Sequence, residues 1–419
     1  MKIQAVTAWE ILDSRGRPTV AVEATLDGGA VAQAQVPSGA STGTHEAVEL
    51  RDGEPNRYAG KGTRRAVNNV ISVLGPAVVG MDARDHAALD RAMIAIDGTP
   101  NKSRLGANAI LGVSCAVARA AATALGMPLW RHLAGARKAR LPVPMVNIFS
   151  GGLHTVGDGF EFQDFLALPN GIGSYSEALQ AIVKIHGSAH EVTERRGYSI
   201  TGVADEGGWG PLLPSNETAL ELLTEAIEHA GYRPGADVSI AIDVASSHFY
   251  REGHYDLKSE GRVLSADEMI ELLANWCTRF PLISIEDGLA ENDWAGWQAL
   301  TARLGTRAQI IGDDFFTTNP ERVRRGIAAH SANAVLVKMN QIGTLTETFE
   351  VVDLARAAGW RAVISARSGE TEDSFLADLA TASGAGQIKV GSITRSERLA
   401  KYNRLLELET RSGLEYGWL

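Results

Sequence analysis

The chain opens with a two-residue period. Residues 4–12 and 19–26 are rich in Val, Thr and Ala and alternate in polarity, so they predict antiparallel strands. Between them Asp13-Ser14-Arg15-Gly16-Arg17-Pro18 is a polar turn, and residues 31–36 predict a third strand after Asp27-Gly28-Gly29. The period then becomes helical, over about 63–96 and again over 108–125, where Gly126-Met127-Pro128 supplies a C-terminal cap and a stop. Strands first and helices afterwards predict an α+β capping domain over residues 1–128.

From about Pro142 short apolar strands alternate with amphipathic helices. Residues 238–242, 283–285, 309–311, 334–337 and 362–364 predict strands. Helix signals lie between them: Ser265 with Glu268 as a capping box, Asn319 before Pro320, and Gly359 closing a helix that begins near Thr344. A strand–helix rhythm of this length predicts an α/β unit, a C-terminal (β/α)8-type barrel over residues 135–419.

Composition narrows the class. With 419 residues, 45% hydrophobic and 21% charged, the chain has the apolar material for a large core. Forty basic against fifty acidic residues leave a net charge of −10, which argues against sequence-independent nucleic-acid binding. Cys115 and Cys277 are too few and too distant for a disulfide framework, and residues 1–10 lack the apolar run of a signal peptide, so a cytoplasmic location is expected. The alanine-rich stretch 109–125 contains Ser114, Arg119 and Thr123 and reads as a buried helix rather than a membrane span.

The chemistry gathers where strands end. Asp243, Glu286-Asp287 and Asp313-Asp314 follow three strands, Lys338 and Lys389 follow two others, and Arg367-Ser368 follows Ser365-Ala366. A β/α barrel brings those ends to one mouth. Three carboxylates from three strands suit Mg²⁺, which prefers oxygen ligands; the alternative is that each acid caps a helix or is solvated. Lys338, after a four-residue apolar strand, is expected to be partly buried and is either a base or a structural partner of a carboxylate. The Gly- and hydroxyl-rich segment 37–44 lacks the Walker lysine and reads as a mobile lid or a plain turn. His186 and His190, four apart, read as an exposed helix face, and Cys277 as core.

Several long strings resemble the enolase family, the phosphopyruvate hydratases, over nearly the full length. They are Asp13-Ser14-Arg15-Gly16, residues 37–43, Leu50-Arg51-Asp52-Gly53, Gly106-Ala107-Asn108-Ala109-Ile110, Asp205-Glu206-Gly207-Gly208, residues 284–289, Asn340-Gln341-Ile342-Gly343 and residues 367–373. The resemblance implies a barrel whose first strands depart from strict βα order, a homodimer or higher assembly of dimers, and Mg²⁺-dependent dehydration of 2-phosphoglycerate to phosphoenolpyruvate. Two Mg²⁺ per site are implied, the first on Asp243, Glu286 and Asp313, the second with Ser41. Lys338 matches the base and Glu206 the acid, with Asp164 beside the acid and His154 also in the catalytic set. Gln163, Arg367, Ser368 and Lys389 match substrate-contacting positions, Arg367 and Ser368 at the phosphate.

Ala366 stands where the family usually has His, Asp164 where it has Glu, and Leu153 where a polar or small residue is usual. These departures keep two other readings open. One is a paralogue of phosphonate biosynthesis, similar to carboxyphosphonoenolpyruvate synthase, acting on a phosphonylated carboxylate. The other is a non-catalytic binding or structural protein on an enolase scaffold.

Overall fold

The computed structural model describes residues 1–39, 43–154 and 159–417. Strands β1 (Ile3–Leu12), β2 (Pro18–Leu26) and β3 (Val31–Gln35) form an antiparallel sheet in that order. The first turn is built by Asp13, whose carboxylate accepts the amides of Arg15 (2.8 Å) and Arg17 (2.9 Å).

The helical stretch expected over 63–96 is broken. Arg64–Asn69 runs into a π-turn at Val70–Leu74, then Gly75–Val78, and a separate helix spans His86–Asp97. Pro76 has no N–H to give the ladder, and a Cβ on Gly75 would lie 3.2 Å from the Val6 carbonyl, so the ladder widens to a π-turn where the helix approaches β1. Helix Ala107–Ala124 lies across β2 and β3, long and apolar but buried in the cap. Gly112 permits that approach, since a Cβ there would stand 2.4 Å from Val22 Cγ2.

The larger unit carries β4 (Val143–Ser150), β5 (Asp164–Leu168), a hairpin of β6 (Ile200–Val203) and β7 (Trp209–Pro211), and β8 (Ser239–Asp243). A small meander follows, β9 (Tyr250–Arg251), β10 (His254–Leu257) and β11 (Arg262–Leu264). Then come β12 (Leu282–Glu286), β13 (Gln309–Gly312), β14 (Ala334–Val337), β15 (Arg361–Ser365) and β16 (Gln387–Gly391). Eight of these close a barrel in the order β4, β5, β8, β12 to β16, with β16 pairing back to β4. β5 is antiparallel to both neighbours, and the strands from β8 onward are parallel. Strict βα order fails at the start as expected, since helices Tyr175–Arg195 and Asn216–His229 both fall between β5 and β8.

Alternation along the strands builds two cores. In β14, Ala334 and Leu336 pack inside the barrel with Val143, Leu166 and Val363, while Val335 and Val337 join the layer between barrel and helices. The capping box at Ser265 and Glu268 forms, and Asn319 caps Pro320–Ala329. Thr344 caps Leu345–Ala357, with Gly359 at φ +73° just beyond its end.

His186 corrects the expectation of an exposed face. It is buried and stacks on Trp209, ring centroids 4.6 Å apart, because hairpin β6–β7 folds over that side of helix Tyr175–Arg195. His190 also meets Trp209, edge-on.

The cap docks on the barrel mouth through buried polar contacts. Asp373 accepts Arg119 and the Gln35 amide (2.9 Å), and Ser38 exchanges backbone hydrogen bonds with Gly369 at 2.8 and 2.9 Å.

Candidate active site

The parallel strands end at one rim, which brings together Asp243, Glu286, Asp313, Lys338, Arg367 and Lys389. Because β5 runs the opposite way, its first residues lie at the same rim: Asp164 pairs in register with Asp243, and Gln163 precedes it. A small cleft is lined by His154, Gln163, Asp164, Glu206, Asp243 and Lys338, and further by Ala366, Arg367, Ser368 and Lys389.

Two ammonium groups stand among the acids. Lys389 Nζ lies 2.8 Å from Asp243 Oδ2 and 2.8 Å from both Glu286 oxygens, and Gln163 Nε2 donates to the same Asp243 oxygen at 3.2 Å. Lys338 Nζ donates to Asp313 Oδ2, whose other oxygen accepts Gln341 Nε2 at 2.9 Å. Lys338 is partly buried, as expected. Burial is the strongest single influence and would lower its pKa, but the charges of Asp313 and Glu286 together more than offset it, and the ammonium is held above its ordinary value. Glu286 is pushed well above the usual carboxylate range by burial and by the Asp243 charge.

The trio of acids with oxygens all within 4.8 Å of one another among the described residues is Asp287, Asp313 and Asp314, rather than the expected Asp243, Glu286 and Asp313. Asp287 is committed elsewhere: its two oxygens accept the amides of Asp313 (2.8 Å) and Asp314 (2.9 Å), which shapes the end of β13. Asp314 is raised to about 8, by burial and then by the neighbouring Asp313 charge.

Across the cleft stands an acid–imidazole pair. His154 Nδ1 is 3.1 Å from Asp164 Oδ1, and Nε2 is 4.0 Å from Glu206 Oε1. Asp164 Oδ1 also accepts Asn147 and Ser150 Oγ (3.1 Å), whereas Oδ2 is buried with no hydrogen-bond partner among the described residues. Burial disfavours the imidazolium, but Asp164 and then Glu206 overcome it and lift His154 to about 9. Burial pushes Glu206 up, yet Arg398, His154, Lys389 and Lys338 together hold it below its ordinary value.

The third part is cationic. Arg367 forks onto Glu46 at 3.0 and 3.2 Å and reaches Asn340 Oδ1 at 3.1 Å, while Arg15 Nη1 donates to Ser368 Oγ at 3.1 Å. Glu46, Arg15, Asn147 and Asn340 escaped the strand-end reading because they come from the cap, a strand interior and the four-residue helix Met339–Ile342, where hydrophobic period carries no signal. Ser41 lies outside the described residues. On the C-terminal flank of its segment, Gly43 N donates locally to Glu46 Oε1 (2.9 Å) and Thr44 Oγ1 reaches the barrel at Glu291 Oε1 (2.5 Å).

Comparison with known proteins agrees with this geometry. Residues 3–133 match the family model "Enolase, N-terminal domain" and residues 138–417 match "Enolase, C-terminal TIM barrel domain". The chain is 53% identical to "Enolase 2" of Pseudomonas syringae pv. tomato over 98% of its own length and 96% of that protein's. It is similar to the same degree and extent to "Enolase 2" of Pseudomonas syringae pv. syringae. Matched along both domains and at this level of identity, the chain belongs to the enolase family and is an enolase-superfamily lyase.

Proposed function

We propose that the protein dehydrates 2-phosphoglycerate to phosphoenolpyruvate with Mg²⁺. The observation that carries this reading is the shared cleft: a lysine at one strand end, an acid–imidazole pair beside it, and an all-oxygen set of acids between two ammonium groups. Asp243, Glu286 and Asp313 are buried and offer only oxygen, so the donor set fits a hard divalent cation, and the raised Glu286 marks acidic charge that such a cation neutralises. When bound, the metal supplies positive charge for the substrate carboxylate as it gains enolate character. Ser41 is assigned to a second ion, by resemblance.

The chain's own residues do the rest. Arg367 and Ser368 bind the phosphate. Lys338 is an ammonium while it pairs with Asp313; in its neutral form, with Asp313 committed to the cation instead, Nζ would take the C2 proton, the C–H pair becoming the C2–C3 double bond as the C3–O bond breaks. Lys389 stabilises charge on the carboxylate. The leaving hydroxide departs as water with a proton delivered through Glu206. At neutral pH that proton resides on His154, whose Nε2 faces Glu206, and Asp164 and Gln163 hold the imidazole and Asp243 in place. A homodimer fits the exposed Trp9 and Leu12 on the cap and Val183, Val203 and Leu212 on the barrel, and a cytoplasmic enzyme with domains at 1–128 and 135–419 completes the reading.

Ala366 favours keeping the paralogue reading: it lines the cleft with Asp164 and Lys389, so no imidazole enters from that strand end. Absorbance of phosphoenolpyruvate formed from 2-phosphoglycerate, with chelator and Mg²⁺ add-back, separates the readings. A metal-dependent rate typical of enzymes supports enolase chemistry, a trace selects the paralogue, and no turnover selects the binding protein.

A further inference from the structure

Helix Ser396–Ser412 buries two cations one turn apart, Arg398 and Lys401, neither with exposed surface. Arg398 spends its guanidinium on main-chain carbonyls. Nη1 donates to Arg367 O (2.6 Å) and Val390 O (2.9 Å), and Nη2 donates to Ser368 O (2.6 Å). The acid paired with it, Glu397, stands 3.5 Å from Nε. Lys401 Nζ reaches Thr371 O and pairs with Glu370 at 2.9 Å, further along the same segment.

A buried guanidinium is an expensive way to fill a core, and an apolar side chain packs there without the desolvation. What it offers is a rigid planar fork that takes several acceptors at once. The acceptors here are the backbones of the two segments that carry the substrate-binding side chains: Arg367 and Ser368 beyond β15, and Val390 directly after Lys389 in β16. Arg398 also backs onto the acid. A Cβ on Gly391, at φ +106°, would lie 3.1 Å from Arg398 Cδ and 3.2 Å from Glu206 Cβ, so both side chains pack on that glycine.

We propose that Arg398 is a positioning residue for the reaction: it clamps the ends of β15 and β16 so that Arg367, Ser368 and Lys389 face one substrate, and it places fixed positive charge behind Glu206. This rests on the dehydration proposed above.

The test compares Arg398→Lys, which keeps the charge but not the fork, with Arg398→Met, which keeps neither, alongside wild type. For Arg398→Lys, KM for 2-phosphoglycerate should rise about tenfold or more, with a smaller fall in kcat. Arg398→Met should add a shift in the pH profile of kcat, because the charge behind Glu206 is gone. In Arg398→Ala, millimolar guanidinium should restore activity and an equal concentration of NaCl should not. Wild-type turnover with KM and pH profile unmoved in the variants, whatever their Tm, overturns the clamp and leaves the reaction standing. If wild type does not turn over, the assigned reaction falls, and hydrogen exchange decides the clamp. Faster exchange confined to the amides of 367–371 in Arg398→Lys supports it, and unchanged exchange there overturns it.

Discussion

Replacing Lys389 with Met should destabilise the protein in a way that Mg²⁺ partly repairs. The ammonium lies 2.8 Å from one Asp243 oxygen and from both Glu286 oxygens, and all three side chains are buried. Removing one member of a buried ion pair costs about 3–5 kcal/mol, because the charge left behind is neither paired nor hydrated. Over 419 residues, an unfolding entropy near 2.1 cal/mol/K per residue amounts to about 0.9 kcal/mol/K, so Tm should fall by roughly 3–6 °C. Calorimetry of wild type and Lys389→Met in chelator measures this. Mg²⁺ at about a hundred times its Kd should return about 2.7 kcal/mol, roughly 3 °C, to a chain that binds it only when folded. At one Mg²⁺ concentration the gain should be larger in the variant, where no ammonium competes for the acids and Kd is lower. A variant that melts with wild type in chelator, or gains no more from Mg²⁺ than wild type, refutes the charge balance drawn for this rim.

Other outcomes follow from the same geometry. Lys338→Ala should abolish turnover while far-UV circular dichroism stays native; a rate near wild type removes Lys338 as the base. Ala366→His with Asp164→Glu should not raise 2-phosphoglycerate dehydration in a working enolase; a raised rate in the double variant moves the protein to the paralogue reading. His186, lowered to about 4 by burial, stays neutral in the native state while the unfolded chain takes up a proton below about pH 6.5. Its contribution to stability is therefore present above that pH and declines by up to about 3 kcal/mol as pH falls towards 4. His186→Phe, which keeps a ring on Trp209, should flatten that part of the Tm–pH curve; an unaltered curve shows that His186 titrates normally.

Much of this was legible in the sequence wherever a period of two or 3.6 met a clear terminator. The five predicted barrel strands lie where they were expected because each is a short apolar run closed by a charged or small residue. The acids and lysines of the rim came with them, since barrel geometry turns position after a strand into position in space. β4, β5 and β16 were harder to read. Their register and the antiparallel turn of β5 depend on barrel closure, which is not local. The π-turn before Gly75 shows the reverse failure, in which a continuous helical period hid a change of ladder where the helix meets β1. Asp205-Glu206 before a double glycine stands out in the sequence, but the role of Glu206 comes by resemblance alone, because it sits in the turn of a hairpin whose strands are four and three residues long. The buried cations of the last helix look like an ordinary solvated face, Arg398 and Lys401 among Glu397, Asn403 and Arg404, until strand ends are brought against them.

The fork between Arg367 and Glu46 has a further consequence. The arginine proposed to receive the phosphate already holds a carboxylate supplied by the other domain, so on that proposal association there exchanges one acid for another. A singly charged anion gains little by that swap, whereas a dianion outbids the resident carboxylate. If Arg367 takes the phosphate, discrimination by valence would be built into the resting state, and a ligand that succeeds would free a cap side chain to find a new partner.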